Sequence, residues 1–491
     1  MTRLPRLWPY LLAVGLTALS LACIWRLEAV RAGLRVDSFA VGSTPVTLWQ
    51  PATAGPHPLV VVAHGYGGSR QFMQTIAATL ARSGFAAAAF DFHGHGRNPL
   101  PMRGDVTRLD GATADLVTQT REVRAALEGR EGIGGSVSLL GHSMATDIVI
   151  RAAGEADDVA AVVAISMYSD AVSPTSPPRL LIVSGAFEGR LREVALDRAR
   201  LVAPDAEEGE IVRAGDVLRR AAVAPLVGHV GVLYSATTLR EVRDWLATAA
   251  GIAPAGALPR TGLPLLLLLG SVLALALPLS RLLGPPEAPG PRSTGLMRRA
   301  LVLPVLPAAI AALAVPEGLV GIAAFGPLAA FFLAWGGVQL AILWRAGVLP
   351  ARIRAAGAAM LLFWGLCLFA PALDRYGAAF VPTGPRLWMM ALLLPGTIAF
   401  CLADAALVAG RGLGPRIALR VVPIATLLLC MIAAPRLGVA FTVLPVLGLF
   451  WLVYGTAARW IGARGGRTGT ALALGVCLAW AIAASTPLLA T

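Results

Sequence analysis

The chain has 491 residues, 56% of them hydrophobic, and a mean hydropathy of +0.71. That average is too apolar for a protein living wholly in water, so membrane spans are expected. The net charge of +13 comes entirely from arginine, with no lysine, and forms no basic stripe interleaved with aromatics, which argues against a nucleic-acid-binding role.

The apolar residues divide the chain into three parts: an N-terminal transmembrane anchor (1–30), an α/β domain of ordinary charge density (36–250), and a polytopic membrane domain (251–491). The first apolar run, Leu7 to Trp25, is long for a signal peptide and is followed by no clear Ala-x-Ala site, so it reads as an uncleaved anchor. Arginine over lysine, with abundant alanine and glycine, fits a GC-rich bacterial genome.

In the middle part, Val36 to Leu48 reads as an antiparallel hairpin. A buried strand, Leu59 to Ala63, runs into His64-Gly65-Tyr66-Gly67-Gly68-Ser69 and a helix over Arg70 to Arg82. The apolar run Phe85 to Phe90 ends in Asp91-Phe92-His93-Gly94-His95-Gly96-Arg97. A helix is expected over Ala112 to Glu128, then a strand, Ser136 to Leu140. Further strands fall at Val159 to Ile165, Arg179 to Val183 and Ala221 to Val227, with helices at Arg190 to Arg200 and Thr238 to Ala249. Strands that are apolar on both faces and alternate with helices imply an α/β fold with a doubly wound, mostly parallel sheet.

The strand over Ser136 to Leu140 leads into Gly141-His142-Ser143-Met144-Ala145 and then a helix over Thr146 to Ala153. A serine between small residues at a strand-to-helix turn is a nucleophile elbow: the turn is too tight for larger neighbours and presents the hydroxyl to a substrate carbonyl. Ala145 stands where the usual pattern has glycine. Ser143 is therefore the candidate nucleophile, and a serine hydroxyl needs an adjacent base.

The order His64-Gly-Tyr-Gly-Gly, Asp91-x-His-Gly-His-Gly-Arg97, Gly141-His-Ser-Met-Ala145, Gly185-Ala-Phe-Glu188 and Gly228-His229 resembles the α/β-hydrolase fold, among esterases, lipases and serine aminopeptidases, over about 36–250. No family is recognised in the membrane part. The resemblance implies a catalytic triad in which His229, after the last strand, is the base. It implies that Glu188, three residues past Gly185 where the family has Asp, is the acid; Asp170 is the alternative acid. It also implies an oxyanion hole built from the backbone N–H groups of Tyr66 and Met144. Asp91, His93 and His95 read as a structural turn rather than a metal site, and no cofactor is expected. The Ser166–Arg179 stretch has room for a loop but not for a helical lid, which predicts an open pocket.

Eight spans are expected after the α/β domain: 263–283, 299–315, 319–343, 355–373, 386–409, 417–434, 436–456 and 468–490. Loop arginines alternate. Arg292, Arg298 and Arg299 follow the first of these spans and none falls near Glu317. Arg345, Arg352 and Arg354 come next, then the near-neutral Asp374-Arg375, then Arg411 and Arg416, a single Arg436, and Arg459, Arg464 and Arg467. Positive loops stay inside, which puts the α/β domain and the C-terminus outside the cytoplasm. Arg3 and Arg6 ahead of the anchor agree, while Arg26, Arg31 and Arg35 after it do not. The five cysteines, Cys23, Cys367, Cys401, Cys430 and Cys477, all fall in these spans, so no disulfide framework or cysteine metal site is available to the α/β domain. Asp404, inside a span, is a functional candidate by default, or a partner for Arg411.

The leading expectation is a membrane-bound serine hydrolase acting on a small-molecule or lipid acyl substrate at the bilayer. The alternatives are an acyltransferase using the same triad, and a transporter-like protein whose outer domain binds or trims cargo.

Overall fold

The computed structural model describes residues 4–104, 109–287, 293–348 and 353–491. Arg3, Arg292 and Arg352, used in the charge reading, lie outside the described residues. The chain divides into two compact units. One comprises Cys23–Leu266 with residues 375–379; the other comprises Met1–Ala22, Leu267–Asp374 and Phe380–Thr491.

The first unit is built on nine strands: β1 (Leu34–Val41), β2 (Thr44–Pro51), β3 (His57–Ala63), β4 (Ala86–Phe90), β5 (Ile133–His142), β6 (Val159–Ile165), β7 (Arg179–Gly185), β8 (Ile211–Ala214) and β9 (Val217–Ala224). They form one sheet in the order β1-β2-β4-β3-β5-β6-β7-β9-β8. From β4 through β9 the neighbours pair in parallel. The hairpin β1–β2 and the short β8 are antiparallel edges.

Parallel neighbours need long crossovers, usually helical, and the sequence supplies a helix in each of them except the β6–β7 connection. α1 (Leu4–Ala29) precedes the sheet; α2 (Gln74–Arg82), α3 (Ala114–Leu127), α4 (Ala145–Gly154), α5 (Gly189–Arg200) and α6 (Ala236–Ala250) surround it. Alternate strand residues point to opposite faces. Val60, Val62, Leu140, Val163, Ile165, Leu181 and Val183 share one core with Ile76 and Leu80 of α2 and with Leu239, Val242 and Leu246 of α6. The intervening Leu59, Val61, Leu139, Val162 and Ile182 are equally buried, and α3 and α4 pack against β3, β5 and β6. Burial on both faces explains why these strands are apolar runs rather than alternating patterns.

The region from Ala221 to Val227 differs from its expected form. β9 starts four residues earlier, at Val217, and pairs with β8, a strand not anticipated. Two arginines at its start hid it. Arg219 is fully buried and donates to the carbonyls of Arg198 and Ser173. Arg220 pairs with Glu241 at 2.8 Å.

Residues 375–379 pack within this unit. Arg375 pairs with Glu28 at 2.9 Å, the Tyr376 hydroxyl donates to the same carboxylate, and the Ala379 N–H donates to Ser69 Oγ at 3.0 Å.

The second unit is helical: α7 (Gly262–Ser280, its first turn counted with the sheet unit), α8 (Thr294–Val302), α9 (Val305–Ala314), α10 (Phe325–Arg345), α11 (Ala355–Leu362), α12 (Ala370–Tyr376, its last two residues counted with the sheet unit), α13 (Pro385–Val408), α14 (Leu413–Ala433), α15 (Val443–Gly465) and α16 (Arg467–Ser485). Among the described residues, nine helices, α1 included, are long and apolar enough to cross a membrane; α8 with α9, and α11 with α12, each make one such stretch. The last runs Arg467–Ser485 rather than to 490, and another extends from Arg436 to Gly465. α13 packs tightly on α10 and α16: a side chain at Gly396 would strike the α10 backbone, and one at Gly475 would strike Ile398.

Candidate active site

Ser143, Glu188 and His229 follow three different strands, β5, β7 and β9, at the same C-terminal edge of the sheet. That edge is where a parallel sheet leaves loops free to converge.

The elbow is strained. Ser143 has φ +54°, a left-handed conformation that a non-glycine residue adopts only when held there. Its N–H donates to the Ile165 carbonyl at 2.9 Å, and its own carbonyl accepts from Thr146 Oγ1 at 2.6 Å. A Cβ on Gly141 would lie 2.5 Å from the Ala145 carbonyl oxygen, so only glycine fits two residues before the serine. Ala145 is fully buried at the start of α4.

Ser143 Oγ lies 2.8 Å from His229 Nε2, and His229 Nδ1 lies 2.6 Å from Glu188 Oε1. The carboxylate can only accept, so Nδ1 carries the proton and Nε2 is left to accept from the serine. Glu188 is held from its other side too: Oε2 accepts from Ser166 Oγ at 2.8 Å and from the Gly185 N–H at 2.6 Å. Burial opposes ionisation of this carboxyl, but the bonds from His229, Gly185 and Ser166 outweigh it and hold its pKa below the ordinary glutamate value. Ser166, at φ +52°, is the second strained residue of the site. The glutamate's extra methylene therefore still reaches the imidazole. Asp170 is instead exposed and paired with Arg151 at 2.6 Å.

Gly65 lies against the elbow: a Cβ there would sit 2.9 Å from the Ser143 Cβ and 3.2 Å from His142 Nδ1. This close approach brings the Gly65-Tyr66 turn beside the N-terminus of α4, where Met144 is the N-cap. Fully buried His64 holds that turn. Its Nε2 accepts from the Phe92 N–H at 3.2 Å, so its Nδ1–H donates to the Gly65 carbonyl at 2.8 Å. Asp91 and His95 act as scaffold. Asp91 accepts from the Arg70 guanidinium at 2.6 Å and from the Arg97 N–H at 3.0 Å; His95 Nδ1 lies 2.8 Å from the His93 carbonyl.

One participant escaped the sequence reading. The buried His142 donates from Nε2 to the backbone carbonyl of His229 at 2.8 Å. Burial, reinforced by the neighbouring His229, pushes its pKa down to about 4, so it is a neutral donor at physiological pH. It links the elbow to the loop that carries the base. Its only sequence signal was its position next to Ser143.

The connection from Ser166 to Pro178 carries no helix. Asp404, in the helical unit, is buried with one oxygen 3.3 Å from Arg420. Arg411 instead donates to the carbonyls of Leu407 and Ser293.

The sheet unit has an α/β-hydrolase fold. Residues 54–272 match the family described as serine aminopeptidase, S33, and the rest of the chain lies outside that match. Among solved structures, an esterase of Pyrobaculum calidifontis is similar at 16% identity, covering 50% of this chain and 94% of its own, with a TM-score of 0.33. An esterase of Pyrococcus furiosus is similar at 15% identity, covering 46% and 96%, with a TM-score of 0.33. No curated protein matches the chain.

Proposed function

We propose that this protein is a membrane-bound serine hydrolase that cleaves an acyl ester through an acyl-enzyme intermediate. The observation that supports this reading above all is the unbroken path from Ser143 Oγ to His229 to Glu188 at 2.8 and 2.6 Å. Ser143 Oγ attacks the acyl carbonyl while His229 Nε2 takes its proton. The N–H groups of Met144 and Tyr66 stabilise the oxyanion. Collapse of the tetrahedral intermediate breaks the bond to the leaving alcohol, which departs with the proton from His229. Water, deprotonated by the same nitrogen, then releases the acid and restores the serine. Glu188 keeps the imidazole in its productive tautomer and stabilises the imidazolium.

The alternating loop arginines favour a bacterial inner-membrane protein with the hydrolase unit outside the cytoplasm. The test is fluorophosphonate labelling of membranes containing wild type or Ser143→Ala, with ester hydrolysis measured in parallel. Wild type labels and turns over, and the variant does neither. Labelling that persists in Ser143→Ala removes Ser143 as nucleophile; no labelling of either chain removes the enzyme reading.

A further inference from the structure

Among the described residues between 34 and 261, the exposed large apolar side chains include Leu100, Leu109, Tyr168, Phe187, Leu226 and Val230, on segments that follow β4, β6, β7 and β9. Four of these are tied directly to the triad. Phe187 precedes Glu188, and its N–H donates to the Val227 carbonyl at 3.1 Å. Val230 follows His229. The Tyr168 N–H donates to Thr146 Oγ1, which donates to the Ser143 carbonyl. Leu226, at φ +58°, is held in a left-handed conformation that leaves its side chain 83% exposed. Phe187 is 72% exposed, Tyr168 69% and Val230 51%. A leucine left so exposed three residues before His229 is costly in water. Exposed apolar clusters of this kind mark binding surfaces, and the helix-free Ser166–Pro178 connection offers no lid to cover this one.

The chain itself indicates the occupant. Four residues separate α1 from β1 and eleven separate α6 from α7. Fully extended, these connections reach at most about 14 and about 40 Å. With α1 and α7 as spans, the hydrolase unit cannot leave the neighbourhood of a bilayer, so lipid is always within reach of the rim.

We infer that this apolar rim seats on the bilayer surface and that the substrate is a membrane-resident ester with a long acyl chain, taken directly from the lipid phase. The inference rests on the serine hydrolase reading above. Hydrolysis then proceeds by the same steps, releasing a long-chain acid and leaving the alcohol portion behind.

The test uses the full chain reconstituted in phosphatidylcholine vesicles, with p-nitrophenyl palmitate in the bilayer and p-nitrophenyl acetate in water. The two substrates share one leaving group. In the double variant Phe187→Ser, Leu226→Gly the palmitate-to-acetate ratio falls at least tenfold; glycine suits the positive φ, so the backbone there keeps its conformation. Ile211→Ser, removing an exposed apolar residue on β8, leaves the ratio within twofold of wild type. A ratio unchanged in the double variant, or a wild type that prefers acetate, overturns the inference while fluorophosphonate labelling of Ser143 still stands. Absence of labelling together with absence of both activities overturns the serine hydrolase reading as well.

Discussion

In the helical unit, exposed apolar side chains such as Trp388, Leu429, Ile432, Leu449 and Leu452 are spread along successive helices; in the α/β unit Tyr168, Phe187, Leu226 and Val230 sit in the loops that follow β6, β7 and β9. The same chemistry has two meanings. A span matches its solvent when its outside is apolar, so an exposed leucine there carries no message. A domain in water loses by exposing one, so a cluster beside a reactive serine is a signal. Charge shows the converse. Glu188 has three hydrogen-bond donors converging on it, whereas Asp404 has Arg420 on one oxygen and a buried second oxygen without a partner among the described residues. Solvation by donors is what makes a buried carboxylate a usable part of a site.

The comparison breaks most sharply at the triad. Ser143→Ala or His229→Ala should lower ester turnover by about 10⁴- to 10⁶-fold with little change in thermal unfolding, measured on the detergent-solubilised chain. Glu188→Gln should cost about 10³- to 10⁴-fold in kcat, through loss of the productive tautomer. The glutamate also carries a pH signature. Its pKa is lower in the folded state than in the unfolded one. Its contribution to stability is therefore present above the ordinary glutamate value and is lost as pH falls through the depressed one. The thermal midpoint of Glu188→Gln should accordingly fall less steeply than that of wild type below about pH 4.3.

Gly141→Ala forces a methyl into the Ala145 carbonyl and should reduce kcat by about 100-fold, since misplacing a reacting group by an ångström costs that much. Ala145→Gly should stay within a few-fold of wild type. His142→Leu removes the donor to the His229 carbonyl, with an expected loss of about tenfold in kcat, the scale of one hydrogen bond, and little change in KM; His142→Gln, which keeps a donor, should recover part of it. The folded His142 titrates near 4 and the unfolded one near 6.5, so the unfolded chain takes up the proton first as pH falls. Wild-type stability therefore drops between about pH 6.5 and about pH 4 on this account, and His142→Leu should flatten that slope in a pH series of thermal melts.

The smallest effect belongs to the helical unit. Asp404→Asn should leave acetate-ester turnover within about twofold, since substitutions outside a site's network act almost additively. A larger loss would show that the helical unit takes part in the chemistry.

Much of the site was readable because its parts are local. A buried strand, a tight turn and a helix are encoded in consecutive residues, so Gly141-His-Ser-Met-Ala145 announced its own geometry. His229 and the apolar parallel strands were legible for similar reasons of order and periodicity. β8 also had a local signal, the Gly215-Asp216 pair between two short runs, but Arg219 and Arg220 made its partner look unlike a strand.

The sequence by itself therefore determined most of the elements, their order, the strand-turn-helix around Ser143 and the number of long apolar helices, because each depends on neighbours in the chain. Only the tertiary structure decided what depends on neighbours in space. It set Glu188 rather than Asp170 against the imidazole, since Arg151 claims the aspartate. It aimed His142 at a carbonyl 87 residues away. And it gathered Tyr168, Phe187, Leu226 and Val230 from three separate loops into one rim, because the strands those loops follow end at the same edge of a parallel sheet.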